Sequence, residues 1–221
     1  MICFQAELDA LLGPLLAREG WLPMALQRLE QDPLARYIES AARPACARAA
    51  RTAGEAMALR ARLGPWRTAE EALRAQGVSV RDSGAEPVSG PFIHHALYTA
   101  PPPHVTVFTK PLEAAEWLLQ STEQRGRLGS VILREVVLAH ELFHHLVLRL
   151  GATAAVHPRV ELTRLGPWRR WGVVKAAEEI AAAGFAASWC GVAWAPEVLD
   201  CLTLAAYGSK SAGSRPLTPT S

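Results

Sequence analysis

The chain has 221 residues, of which half are hydrophobic and a fifth are charged, a composition typical of a globular protein with one sizeable core. Its formal net charge of +2 implies no strong electrostatic partner for the chain as a whole. The four cysteines show no regular spacing and the N-terminus lacks a basic leader, so we expect free thiols and a cytoplasmic location.

The N-terminal part of the chain is expected to be helical. Apolar residues at helix-like intervals predict helices over residues 3–18, 22–42 and 45–63. A helix-turn-helix DNA reader is disfavoured here, because prolines interrupt the segment and no helix is basic enough to read DNA. We assign residues 1–45 to an N-terminal helical extension and residues 46–207 to one domain.

The next segment predicts short alternating elements. Thr68 and Glu71 form a capping box that opens a short helix. Strands are expected near residues 78–80, 95–99 and 105–109, followed by a helix over 111–120. Ser130 is a plausible N-cap and Gly151 a plausible end for a long apolar helix.

That apolar run, residues 131–150, contains the pattern H-E-x-x-H at His140, Glu141 and His144. Residues four apart lie one above the other on a helix, so His140 and His144 can share one zinc ion. Glu141 lies about 100° around from His140, within reach of a water on that ion. Polar groups in so apolar a helix need partners, and a metal supplies them. The alternative is a buried helix with two hydrogen-bonded histidines and no metal.

A third ligand has to come from elsewhere. Zinc in a hydrolytic site takes three protein ligands and water, and the extended pattern with histidine at position 150 fails because Leu150 stands there. An acidic pair, Glu178 and Glu179, lies in an alanine-rich helix predicted over residues 173–189. The small alanines let this helix approach the central one closely. Either carboxylate can complete the site on these grounds.

The remaining segments give weaker signals. Trp168 to Trp171, with two arginines between the tryptophans, are interpreted as a loop anchored by its tryptophans rather than a nucleic-acid surface. A last helix is predicted over 196–207, and the Ser-, Thr-, Pro- and Gly-rich residues 208–221 are predicted to be a disordered tail. We expect no membrane partner and no direct nucleic-acid binding.

With these motifs, the chain resembles the ImmA/IrrE family of zinc metallopeptidases. The resemblance covers about residues 50–190 and combines an alanine-flanked H-E-x-x-H with a downstream Glu-(x)5-Phe-Ala helix. The approach to the motif is similar too, with these residues in the family's order: Gly77 and Val78, then Ala96, Leu97 and Tyr98, then residues 105–108.

The resemblance implies an α+β, zincin-like fold that is mainly helical, with a small β-sheet beside the H-E-x-x-H helix. It selects Glu179 over Glu178, because the family's ligand glutamate precedes the phenylalanine by six residues. His140, His144 and Glu179 would then hold Zn²⁺, with Glu141 as the general base. Ala183 departs from the family, since many relatives carry asparagine there.

The chain is therefore expected to be a zinc metallo-endopeptidase that hydrolyses a cytoplasmic protein or peptide substrate, and the family implies a transcriptional repressor. If the strand at 105–109 is a sheet edge, it would pair with an extended substrate. Structural roles are favoured for three histidines near the strands, which are alternative carbonyl-binding groups: His94, His95 and His104. Tyr98 is a candidate oxyanion donor and equally an aromatic side chain on a strand face. Two alternatives stay open, a catalytically idle metal-binding regulator and a structural domain without metal. The presence of Glu141 argues against the first, and the second leaves the cluster unexplained.

Overall fold

The computed structural model describes residues 8–213, except 11, 15, 17–19, 86, 87, 90, 91 and 122–124. The predicted helix at 3–18 falls partly outside these residues, and the described positions between 8 and 16 are helical. The further helices are α1 (Trp21–Gln31), α2 (Arg43–Ala61), α3 (Ala69–Ala75), α4 (Thr109–Ser121), α5 (Arg125–Leu128), α6 (Leu133–Leu150), α7 (Ala176–Cys190) and α8 (Val198–Gly213). Two short 3₁₀ turns, Ala35–Tyr37 and Ser40–Ala42, separate α1 from α2.

The strands form small sheets. They are β1 (Ser79–Ser83), β2 (Val88–Ser89), β3 (Phe92–Ile93), β4 (Ala96–Thr99), β5 (His104–Phe108), β6 (Arg159–Leu165) and β7 (Trp168–Val173). β1, β5 and β4 form a mixed sheet in that order, with β5 parallel to β1 and antiparallel to β4. The predicted α+β class with a small mixed sheet is confirmed. The condition under which residues 105–109 would pair with a substrate is not met, because β5 is the middle strand of this sheet and β4 is an edge.

Most helix ends lie close to the positions that local sequence signals predict, with three exceptions. The capping box at Thr68 and Glu71 is present, and Gly151, at φ 81°, ends α6 as expected. The helix predicted over 22–42 instead ends at Gln31, just before Pro33. Ser130 is not the N-cap of α6, because that helix begins at Leu133. The predicted disordered tail is helical through Gly213, and 214–221 lie outside the described residues.

Close backbone contact with α2 determines the position of α7. A Cβ atom added to Gly54 of α2 would lie 1.9 Å from the carbonyl oxygen of Ala181, and one added to Gly184 would lie 2.7 Å from the carbonyl oxygen of Arg51. Both distances are too short for any side chain, so α2 and α7 touch backbone to backbone. The small residues therefore bring α7 against α2 as well as against α6.

The segment just after α1 is hydrogen-bonded to the first residue of α7. The Asp32 carboxylate, just after α1, accepts hydrogen bonds from the backbone N–H of Leu34 at 2.8 Å and from that of Ala176 at 2.9 Å. Ala176 is the first residue of α7, and Lys175 before it makes no side-chain cap. Asp32 thus satisfies a helix-terminal N–H from far away in the sequence.

Two further features are the state of the cysteines and the length and hydropathy of the helices. Cys46, Cys190 and Cys201 are free thiols, and Cys3 lies outside the described residues. Within the part of the chain that the structure describes, no helix is both long enough and apolar enough to cross a membrane.

Candidate metal centre

Three side chains from two helices converge at one point. His140 and His144 project from α6, with their Nε2 atoms 3.2 Å apart. The Glu179 carboxylate on α7 lies 3.4 Å from His140 Nε2 through Oε2 and 3.6 Å from His144 Nε2 through Oε1. Ligands of a tetrahedral zinc ion, at bond lengths of about 2.0–2.1 Å, lie about 3.3 Å from one another. The ligand atoms of this group lie close enough together to hold a metal ion.

Glu178 lies behind this cluster. His144 Nδ1–H donates to Glu178 Oε1 at 3.0 Å, and His157 Nε2–H donates to Glu178 Oε2 at 2.7 Å. Lys175 Nζ is 3.8 Å from the same Oε2. Since a carboxylate only accepts, the proton of neutral His144 resides on Nδ1, which leaves the Nε2 lone pair facing the cluster. Hydrogen-bonded carboxylates orient metal-binding histidines in this way.

The charges stabilise one another. The pKa of Glu178 is lowered to about 2, chiefly by its hydrogen bond to His144, with burial opposing and His157 adding to the effect. Burial works to raise the pKa of Glu179, but His140, His144 and Arg28 outweigh it and hold that pKa well below its usual range. Burial also disfavours the charged form of His144, yet Glu178, Glu179 and Glu141 together raise its pKa above the ordinary value.

Arg28 completes the cluster from α1. Its Nη1 atom donates to Glu179 Oε2 at 3.2 Å, and its side chain remains 34% exposed. The two residues lie 151 positions apart in the chain, and Arg28 falls in the segment that was expected to be an extension outside the domain. No local sequence signal connects them, so sequence reasoning missed this contact.

A cleft of about 590 Å³ opens beside the cluster. Glu141 lines it and is 8% exposed, and Ala183, at the position where the resemblance led us to look for asparagine, lies in its wall. Tyr98 reaches the cleft from β4, and its hydroxyl is 3.0 Å from Nδ1 of the buried His145. The α6 helix and the edge strand β4 therefore form two sides of the same cleft.

The other histidines divide into two groups. His94 and His95 line the cleft, whereas His104 contacts the carbonyl oxygen of Pro102 at 3.0 Å. His95 Nε2 lies 2.9 Å from Thr203 Oγ1, and burial, with His94 and His140 nearby, lowers its pKa to about 4. It is therefore neutral near pH 7. Asp200, whose pKa burial raises to about 6 against the influence of Arg28, adds a carboxyl group that the sequence did not point to.

Metal affinity is expected to decrease as the pH is lowered. Only neutral His144 offers its Nε2 lone pair, and its raised pKa lets protons compete at a higher pH than for an isolated histidine. We expect about a tenfold loss of affinity per pH unit below that pKa for each proton displaced. Chelator competition over a pH series measures this.

Glu178→Gln is the matched control for the pH series, because it removes a neighbour that raises the pKa of His144. The decline should then begin at a lower pH than in the wild type. A metal affinity that does not change across the titration range of histidine would contradict the involvement of His144.

The structure brings His140, His144 and Glu179 together, and it places Glu178 on the outer nitrogen of His144. The histidine pair could be found from the motif alone, whereas His157, Arg28 and Asp200 could not. No protein-family model, curated protein or solved structure matches this chain. Its function is therefore inferred from the chemistry of the site.

Proposed function

We propose that this protein is a zinc-dependent metallo-endopeptidase with a zincin-like fold. Zn²⁺ would be held by His140, His144 and Glu179, and Glu141 would act as the general base. The single observation that carries the proposal is that His140 Nε2 and His144 Nε2 lie 3.2 Å apart, with the two Glu179 carboxylate oxygens 3.4 and 3.6 Å from them. That spacing is close to the about 3.3 Å expected for tetrahedral zinc.

The donor set favours zinc over other divalent ions. Two imidazole nitrogens and one carboxylate oxygen are a ligand set of catalytic zinc sites, in which a fourth position stays open. Hard cations such as Mg²⁺ and Ca²⁺ prefer oxygen ligands alone. The hydrogen bond from His144 Nδ1–H to Glu178 supports the fit, because it fixes the tautomer that a metal requires.

The chain's own residues suit hydrolysis. A zinc ion at this position supplies a Lewis acid that polarises a carbonyl and lowers the pKa of water. Glu141 lines the cleft one residue after a ligand, and its carboxylate would take a proton from the attacking water and pass it to the leaving amine. Arg28 would hold the Glu179 carboxylate in place through its 3.2 Å hydrogen bond.

An extended peptide is the substrate that the cleft suits best. Strand β4 pairs with β5 on one side, and Ala96, Leu97 and Tyr98 line the cleft. A substrate strand added to such an edge would lie alongside the H-E-x-x-H helix. A substrate strand bound at this edge can extend past the site in both directions. Cleavage within a flexible segment of the substrate is therefore favoured over removal of its terminal residues.

The resemblance to the ImmA/IrrE family extends this proposal to the substrate class. A cytoplasmic transcriptional repressor is the substrate that this resemblance implies. The free thiols of Cys46, Cys190 and Cys201 support a reducing compartment. The alanine-flanked motif and the Glu179–Phe185 spacing support the family assignment, and Ala183 is its one departure.

Removal and return of zinc tests the proposal. Wild-type protein incubated with proteome-derived peptides should give cleavage products by mass spectrometry, lose them after chelation, and regain them with one equivalent of zinc. His104→Ala is the control, because His104 lies outside the cluster and contacts Pro102 instead. Products that persist unchanged in stripped protein, or no products from the zinc-loaded protein, would refute the peptidase.

A further inference from the structure

The β6–β7 hairpin exposes large apolar side chains at its outer end. Leu165 is 76% exposed and Trp168 is 78% exposed, and the two lie directly opposite each other beside the Gly166 and Pro167 turn. At the other end of the hairpin, Val160 is 8% exposed and packs into the core. The expectation that the tryptophans anchor a loop is therefore wrong, since they face solvent and the base is the anchored part.

Arginines follow immediately behind this apolar end. Arg164 lies directly opposite Arg169, and Arg170 comes next on the same strand. Like charges opposite each other destabilise a strand pair. Among the described residues, Glu161 forms an ion pair with Arg169 at 3.6 Å. Both side chains are partly exposed, so this ion pair offsets little of the repulsion between the arginines. An anionic partner would remove the repulsion.

We propose that this hairpin docks on an anionic membrane surface. Leu165 and Trp168 would enter the interface between headgroups and acyl chains, where tryptophan is favoured. At about 3.3 Å per residue, Arg164, Arg169 and Arg170 follow within one or two residues, so their guanidinium groups lie at the level of the lipid phosphates. Such docking is peripheral and needs no membrane-spanning helix, and it departs from the sequence-based expectation of no membrane partner.

The order of side chains along the hairpin distinguishes this partner from others. A nucleic acid would meet the apolar end first, where Trp168 offers a face for base stacking but Leu165 and Pro167 offer neither donors for phosphate nor an aromatic face and would gain no partner. A second copy of this chain would bring two arginine clusters against each other. An anionic bilayer accepts the apolar end and the charges behind it together.

The hairpin also connects the two segments that hold Glu178. His157 precedes β6 and Lys175 follows β7, and both contact the Glu178 carboxylate. The docking proposal goes beyond the peptidase proposal and does not depend on it, because its test measures binding alone.

Vesicle flotation tests the proposal with the full chain. We expect binding to vesicles of phosphatidylcholine mixed with phosphatidylglycerol, little binding to pure phosphatidylcholine, and release at high salt. The double variant Leu165→Ser, Trp168→Ser should bind at least about tenfold more weakly. The triple variant Arg164→Gln, Arg169→Gln, Arg170→Gln should bind about a hundredfold more weakly.

Matched controls remove the same chemistry from other exposed positions. Leu63→Ser with Trp117→Ser removes one exposed leucine and one exposed tryptophan elsewhere, and Arg60→Gln, Arg67→Gln and Arg81→Gln removes three exposed charges. Both should bind as the wild type does. Unchanged circular dichroism would show that the hairpin variants fold.

Three kinds of result would overturn the proposal. One is the absence of hairpin-dependent vesicle binding, seen as equal binding of hairpin variants and controls or as no binding by the wild type. Another is hairpin-dependent binding to DNA or RNA oligonucleotides without vesicle binding, which would assign a nucleic-acid partner. The third is a dimer in sedimentation that Leu165→Ser, Trp168→Ser abolishes without any effect on vesicles, which would assign a second copy of the chain.

Discussion

Replacing Glu141 with glutamine is expected to slow peptide hydrolysis by about a thousandfold while the metal content stays near one ion per chain. The amide has the shape of the carboxylate but cannot accept a proton, and general acid–base groups contribute about 10²–10⁴ to a rate. Metal should remain because Glu141 is absent from the group that converges on one point, His140, His144 and Glu179.

The measurement combines single-peptide kinetics with metal analysis of the same protein batches. Glu113→Gln is the matched control, since Glu113 is exposed on α4 and lines no part of the cleft. If Glu141→Gln and the wild type give the same products at the same rate, the peptidase proposal fails. A metal content of one in both, without hydrolysis by either, would instead favour the catalytically idle regulator.

Replacing Glu179 with glutamine is expected to cost far more metal affinity than replacing Glu178. Loss of a partner that only orients a ligand costs about 10–100-fold, which is the range expected for Glu178→Gln. Glu179 is 3.4 and 3.6 Å from the two histidine Nε2 atoms, so Glu179→Gln removes an anionic ligand and should exceed a loss of about a hundredfold.

These two variants are matched controls for each other, because they make the same substitution at adjacent residues of one helix. Competition against a chromophoric chelator gives both affinities, and metal analysis after dialysis gives the stoichiometry. Should Glu178→Gln lose more affinity than Glu179→Gln, the assignment of the ligand would be reversed and Glu179 would become the orienting group.

The choice between these glutamates shows where sequence reasoning ends. Adjacent helical residues point about 100° apart, so the choice depends on how α7 is rotated about its axis. That rotation is fixed by backbone contacts of α7 with α2 at Gly54 and Gly184, and α2 is far from either glutamate in the sequence. The periodicity of α6, in contrast, is local, and for that reason His140 and His144 could be paired from the motif alone.

The hairpin was missed for a different physical reason. Its strands follow Gly151 and Pro158 and contain few buried residues, so they lack the apolar alternation by which a half-buried strand is recognised. The loop predicted at Trp168 to Trp171 is instead part of β7, and Gly166 and Pro167 form the turn before it. Side chains that face solvent leave no pattern of burial in the sequence.

The hydrogen bond between Arg28 and Glu179 has a consequence for how the protein is made. The ribosome releases α1 long before α7. For most of synthesis, Arg28 and Asp32 therefore lack the partners that they have on α7 in the folded protein. The cluster of His140, His144 and Glu179 cannot exist until the chain has emerged beyond Glu179. A nascent or truncated chain that ends before Glu179 therefore carries two histidines but no complete site.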